Sequence, residues 1–163
     1  MIKTTTAALL LAATLCPAAA VAATGTDAGK RITGEQAARI LQDAGYKAEI
    51  GKDGAGDPMI STSMGGLNAY LYFYDCEPDG CGSLKLSVGL DLEEGTSLAV
   101  VDAFNREHRY VTAFLDEEND PFLHYDFEVL HTRHAEHITS QVAIWEDLLY
   151  AFTVAVGYRT AVE

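Results

Sequence analysis

Between Leu67 and Leu90 the chain alternates so regularly that one strand pairing satisfies it and its neighbours do not. In Leu67 to Cys76, the side chains of Leu67, Ala69, Leu71 and Phe73 take one face of an extended strand, and Tyr70, Tyr72 and Tyr74 take the other. In Ser83 to Leu90, Leu84, Leu86, Val88 and Leu90 share a face opposite Ser83, Lys85 and Ser87. Setting Cys76 across from Cys81 in antiparallel register puts Phe73 opposite Leu84, Leu71 opposite Leu86, Ala69 opposite Val88 and Leu67 opposite Leu90. Every apolar residue then meets an apolar one, whereas a one-residue slip turns each to the wrong face. The connecting Glu77-Pro78-Asp79-Gly80 has the composition of a turn.

Whether Cys76 and Cys81 are bonded depends on the compartment. Residues 1–23 have the pattern of a secretory signal peptide. Lys3 supplies a basic start, Ala7 to Leu15 an apolar run, and Ala20-Val21-Ala22 a small-x-small cleavage pattern. The run is too short to span a bilayer, and no later segment reaches spanning length. Leu15 stands where a lipoprotein signal needs a small residue before its cysteine, so Cys16 is expected to be lost on cleavage rather than acylated. No twin-arginine pair is present, which favours export of the unfolded chain. The expected product is periplasmic or secreted and keeps Cys76 and Cys81. An even cysteine count in an oxidising compartment predicts a disulfide.

Residues 24–31 are small and polar and predict a flexible linker, followed by a single domain over 32–163. Thr33 with Gln36 forms a capping box for a helix whose inner face is Ala37, Ile40, Leu41 and Ala44, and Gly45 ends it. Lys47 to Lys52 and Met59 to Met64 are strands, separated by a loop rich in glycine and aspartate; Gly65-Gly66 is a turn. Thr96 caps a second helix to about Glu107, with Leu98, Val101 and Phe104 inward. Tyr110 to Leu115 and Phe122 to Val129 are two more strands, joined by the acidic turn 116–121. A last helix runs from about Thr139 to Val156, with Val142, Trp145, Leu148, Leu149, Phe152 and Val156 as its apolar stripe. The order is helix, four antiparallel strands, helix, two strands, helix: an α+β domain with no evident internal repeat.

Nearly half the chain is apolar (48%) and 21% is charged, the balance of a domain with a core. The formal net charge is −13, from 24 acidic and 11 basic residues, and no Lys/Arg cluster offsets it. Such a surface repels phosphate backbones and excludes nucleic acid as a natural partner.

Several stretches occur together: Gly56-Asp57-Pro58-Met59-Ile60 before a strand, Tyr72-Phe73-Tyr74-Asp75-Cys76 with Asp79-Gly80-Cys81, Phe104-Asn105-Arg106-Glu107-His108-Arg109-Tyr110, and Ala113-Phe114-Leu115-Asp116 with Asp120-Pro121 and Asp126. In this order they resemble the YbjN family of bacterial sensory-transduction regulators. Phe104 stands where many members carry Trp. The resemblance implies a fold similar to type III secretion chaperones, which are small α+β domains, often dimeric, that hold other polypeptides. It brings no catalytic residue, since the family has none agreed, and the fold alone does not establish chaperone activity.

Four groups of residues could carry chemistry. Tyr70, Tyr72 and Tyr74 form a binding face if no helix covers them. Asn105 and Arg109 lie four apart across the end of the second helix, and Arg109 could fork onto Asp116 or Asp126. His131, His134 and His137 suggest a metal site with Glu136 as an added ligand, although steps of three leave side chains about 60° apart round a helix. The turn Asp116 to Asp120 lacks the ligand spacing and central glycine of an EF-hand, so it reads as a solvated turn. No serine elbow or phosphate loop is present, and the disulfide would leave no nucleophilic cysteine. The expectation is an exported, non-catalytic binding or adaptor domain for a protein or peptide, without a cofactor. The alternative is a periplasmic metal-binding protein using His131, His134 and His137.

Overall fold

A computed structural model describes residues 29–160; the expected signal segment with Cys16, and residues 24–28 of the expected linker, lie outside the described residues. The elements are α1 (Gly34–Asp43), β1 (Glu49–Lys52), β2 (Pro58–Met64), β3 (Leu67–Glu77), β4 (Gly80–Gly89), α2 (Leu98–Glu107), β5 (Val111–Leu115), β6 (Pro121–Glu128) and α3 (His134–Ala155). Class and element order are as expected, but the grouping of strands is not. The two expected groups join one six-stranded antiparallel sheet in the order β1-β2-β3-β4-β6-β5. β6 lies between β4 and β5, so β5 becomes an edge.

The β3–β4 hairpin has the register its pattern dictates, with Cys76 opposite Cys81, Phe73 opposite Leu84 and Leu71 opposite Leu86. The two sulfurs are within bonding distance, 2.17 Å apart. The backbone groups of Cys81 face away from Cys76, as those of a non-hydrogen-bonded pair must. Ile32 takes both of them: its N–H donates to Cys81 O at 3.0 Å, and Cys81 N–H donates to Ile32 O at 2.8 Å. Gly80 is required here, because a Cβ on it would lie 2.8 Å from Ile32 O and its φ is +132°. The last part of the expected linker is therefore anchored. Arg31 pairs with Asp75 at 2.9 Å, and Lys30 O accepts from His134 Nε2 at 3.2 Å.

Closing so short a loop limits what the disulfide adds. The chain-entropy relation gives about 2 kcal/mol for it, while each large apolar side chain it aligns is worth about 1.5–3 kcal/mol on burial. The double substitution Cys76→Ala with Cys81→Ala is expected to lower stability by about 2 kcal/mol and leave the domain folded. Urea denaturation of both forms checks this; loss of the cooperative transition would show that the bond, not the pattern, holds the register.

α1 begins with the reciprocal pair of a capping box, Thr33 Oγ1 accepting from Gln36 N and Gln36 Oε1 from Thr33 N. It ends in a Schellman motif, with Gly45 N donating to Gln42 O and Tyr46 N to Leu41 O. Gly45 takes φ +93° there. Ala44 is the exposed C-cap rather than part of the inner face, and Ala38 is buried in its stead.

Two helix expectations need correction. Ser97, not Thr96, caps α2, and Leu98 is 72% exposed rather than inward. Periodicity set its azimuth, but only the neighbours decide how far along α2 burial extends, and it starts at Val101. α3 starts at His134, well before Thr139. Its cap, Arg133, makes no side-chain cap bond, so no local signal marked the start. What holds the added turn is burial of His134 and Ile138 against the core.

The helices and one face of the sheet enclose a single core. Ile60, Leu71, Phe73, Leu84, Leu86, Leu123, Trp145 and Phe152 are among its fully buried members. Among the described residues no helix is long and apolar enough to cross a membrane.

Candidate functional site

With the helices on one face, the pleat sends every second strand residue to the other. Register places Tyr72 between Met59 and Lys85, Tyr70 between Ser61 and Ser87, and Tyr74 beside Ser83. Tyr70 and Tyr74 are 37% and 40% exposed, and Tyr72 is half-buried between them. The expected tyrosine face is thus uncovered. Tyr70 and Tyr72 rings lie 6.1 Å apart. Lys85 Nζ lies 4.7 Å from the Tyr74 ring centre and 5.4 Å from that of Tyr72. Burial, with Tyr70 nearby, raises the Tyr72 hydroxyl above its ordinary value, so Tyr72 presents a neutral phenol.

The platform extends across β6 to β5. Phe114 stacks on Phe122 at 5.4 Å and meets His124 edge-on at 4.6 Å. Gly89 makes room for this, since a Cβ there would lie 2.4 Å from the Phe122 ring. A cleft of about 310 Å3 runs between Asn68, Tyr70, Gly89, Asp91, Asp120 and Phe122. Glu49, Asp126 and Glu128 occupy strand positions on the same face. Phe114, Phe122 and His124 were missed from sequence. The signal was present in β6, where Phe122, His124 and Asp126 alternate with buried Leu123, Tyr125 and Phe127. It could not be used without knowing that β6 lies beside β4.

Burial, and then Lys85, hold the His124 imidazole below its ordinary pKa, against the opposing pull of Asp126. Because the folded value is depressed, the unfolded chain takes the proton first as pH falls. This group's contribution is full above about pH 6.5 and lost as pH falls from there through the folded value. Lys85→Gln removes one cause of the depression, so NMR titration should move the His124 midpoint up; a fall would mean that the lysine is not acting through charge.

Asn105, a candidate for a structural or a binding role, bonds the backbone of Ala113 in the next strand. Its Nδ2 donates to Ala113 O at 2.9 Å and its Oδ1 accepts from Ala113 N at 2.8 Å. One side chain thereby supplies both outward-facing bonds of Ala113 on the open edge of β5. Arg109 does not reach Asp116 or Asp126; its guanidinium lies 4.7 Å from the centre of the Tyr110 ring and bonds the Tyr110 hydroxyl. Tyr110 precedes β5 with φ +73°, and Arg109 stands before β5 while Asp116 follows it, at the far end of the strand. Asp126 is exposed on the open face across from Lys85.

Asp116 builds a turn that occurs twice. Its Oδ1 accepts from Glu118 N and Asp120 N, both at 2.9 Å, and Asp53 Oδ1 accepts from Ala55 N at 2.9 Å and Asp57 N at 3.0 Å. In each loop the first aspartate N–H donates to the carbonyl of the last, Asp53 to Asp57 and Asp116 to Asp120. Gly56 and Asn119 fill the left-handed position at φ +94° and +65°. The shared sequence Asp-x-x-(Gly/Asn)-Asp-Pro, ending at Pro58 and Pro121, is a short internal repeat. The acidic turn is thus organised by its own backbone bonds. Asp120 Oδ1 also accepts from Leu92 N at 2.9 Å, tying this loop to the segment after β4.

The three histidines do not converge. His134 is buried at the start of α3 against Lys30 O. His137 Nε2 donates to Glu128 O at 2.8 Å, and His131 is exposed in a left-handed turn at φ +60°. Among the described residues no group of three or more His, Cys, Asp or Glu is placed to hold a metal ion.

A family model described as "Putative bacterial sensory transduction regulator" matches residues 34–156. No curated protein matches the chain.

Proposed function

The chain belongs to the YbjN family, whose model covers well over half of it, and from that premise we propose that it is an exported, non-catalytic adaptor or regulatory domain that binds a polypeptide on its open sheet face. The observation that carries this is the row Tyr70, Tyr72 and Tyr74, left uncovered with Lys85 over two of its rings. Three tyrosines on one face offer large contact area with few rotatable bonds, which suits recognition. The regulator description of the family and the polypeptide-holding domains its sequence resembles point the same way. Export is supported by Lys3, the apolar run to Leu15 and Ala20-Val21-Ala22, together with the paired cysteines.

Site-specific photo-crosslinking tests the binding role. A benzoylphenylalanine in place of Tyr74 should give a discrete polypeptide adduct in the native host, and one in place of Leu98, also exposed, should not. Adducts from neither site, or equally from both, would remove the proposal. Intact-mass measurement should find a mature N-terminus near Ala23 or Thr24 and no acyl chain; retained Met1 or acylated Cys16 would overturn export as stated.

A further inference from the structure

We infer that the segment received by this face is extended and cationic, with Lys or Arg side chains at alternate positions lying over the tyrosine rings. This rests on the binding role proposed above and names the chemistry of the partner.

The rings already hold a cation. Lys85 Nζ is 4.7 Å and 5.4 Å from the centres of two of them, within the distance of about 6 Å at which a ring face attracts positive charge. The spacing also matches. Tyr70, Tyr72 and Tyr74 recur every second residue of β3, and alternate side chains of any extended peptide recur at the same interval, about 6.8 Å. A strand laid along β3 can set successive cations on successive rings.

Charge selects among occupants. Lys85 is the cation at a strand position beside the rings, with Lys47 in a cleft by Glu49, Ser61 and Asn68, against Glu49, Asp126 and Glu128. Asp53 is close enough to act on the Tyr72 hydroxyl. An acidic partner would be repelled, and so would a second copy of this chain, whose net charge is also −13. Lys85 stands across from Asp126 in the register, which gives its ammonium a carboxylate to move to when an incoming cation takes the rings.

Lys85 is thus a competitor for its own site, and this sets the test. The probe is a nine-residue peptide with arginine at alternate positions and serine between; its controls carry glutamine or glutamate in place of arginine. Fluorescence anisotropy with the purified chain should show the arginine probe bound about tenfold more tightly than the glutamine one, a ratio reachable with cation–π contacts at partly desolvated rings. Its affinity should fall with salt, and the glutamate peptide should not bind. Lys85→Gln should tighten binding severalfold, Tyr74→Phe should retain it, and Tyr74→Leu or Asp126→Asn with Glu128→Gln should weaken it. These positions lie on the uncovered face, and the Lys85→Gln arm stands even if another variant fails to fold. Equal or better binding of the glutamine or glutamate peptide, lost binding in Lys85→Gln, or no binding of any peptide overturns the cationic assignment. In each of those cases the Tyr74 crosslink still decides separately whether the face binds a polypeptide.

Discussion

Replacing Trp145 by alanine should destabilise the domain by about 3–5 kcal/mol, a large share of the roughly 5–15 kcal/mol that holds a domain of this size together. Trp145 is 0% exposed and is the largest of the fully buried side chains. Its ring plane is parallel to that of Tyr125 within 3°, at 6.4 Å between centres, and Tyr125 in turn donates its hydroxyl to Gln141. The indole also carries a cost, because its N–H meets no acceptor among the described residues. Trp145→Phe therefore loses area but releases an unpaired buried donor, and it should cost less than about 1.5 kcal/mol. Since Trp145 is the chain's one tryptophan, unfolding has to be followed by far-ultraviolet circular dichroism. A loss below about 1 kcal/mol for the alanine variant, the scale of a single hydrogen bond, would mean that the core is not centred on this ring.

Asn105→Ala should come second, at about 2–4 kcal/mol, from two buried backbone groups left unpaired at about 1–3 kcal/mol each, less what water recovers at the edge. Ala113 is buried and pairs with Leu123 of β6 on its inner side. On its outer side the Asn105 amide stands in for a residue of a further strand. Removing that amide also bares a sheet edge, and bare edges invite pairing between chains. Hydrogen exchange at the Ala113 amide should quicken strongly in the alanine variant, and aggregation on heating should increase. Asn105→Asp keeps the acceptor for Ala113 N–H but sets a carboxylate oxygen against Ala113 O, so it should fall between the two. An unchanged exchange rate at Ala113 would show that the amide is not what closes this edge.

Asn105 illustrates how far local sequence can be pushed. Its place beside a helix end was legible, and so was its polarity, but its partner Ala113 is a backbone that lies within reach only after α2 packs on β5. Arg109 is the converse case. A carboxylate partner in the next hairpin satisfies its charge, yet β5 separates it from Asp116 and the guanidinium rests on the Tyr110 ring instead. Asp116 lies in a turn whose composition predicts solvated acid, and it is a turn-builder; the likeness to its twin at Asp53 is faint in sequence because the two loops share only their aspartates, a proline and one left-handed position. His134 and His137 lie before the helix start that the sequence predicts, at about Thr139, because Arg133 gives no capping signal for the earlier start of α3.

The sequence by itself determined what depends on neighbours along the chain. The period-two alternation and the cysteine positions leave one register for β3 on β4. Thr33, Gln36 and Gly45 mark both ends of α1, because caps are satisfied within a turn of where they stand. Only the tertiary structure decided which face of the sheet the helices cover, that β6 inserts beside β4, and hence that Lys85, Phe122 and His124 join the tyrosines on one open surface. A side-chain pattern states that a strand has two faces; which of them meets water is set by where distant helices come to rest, and no local period encodes that.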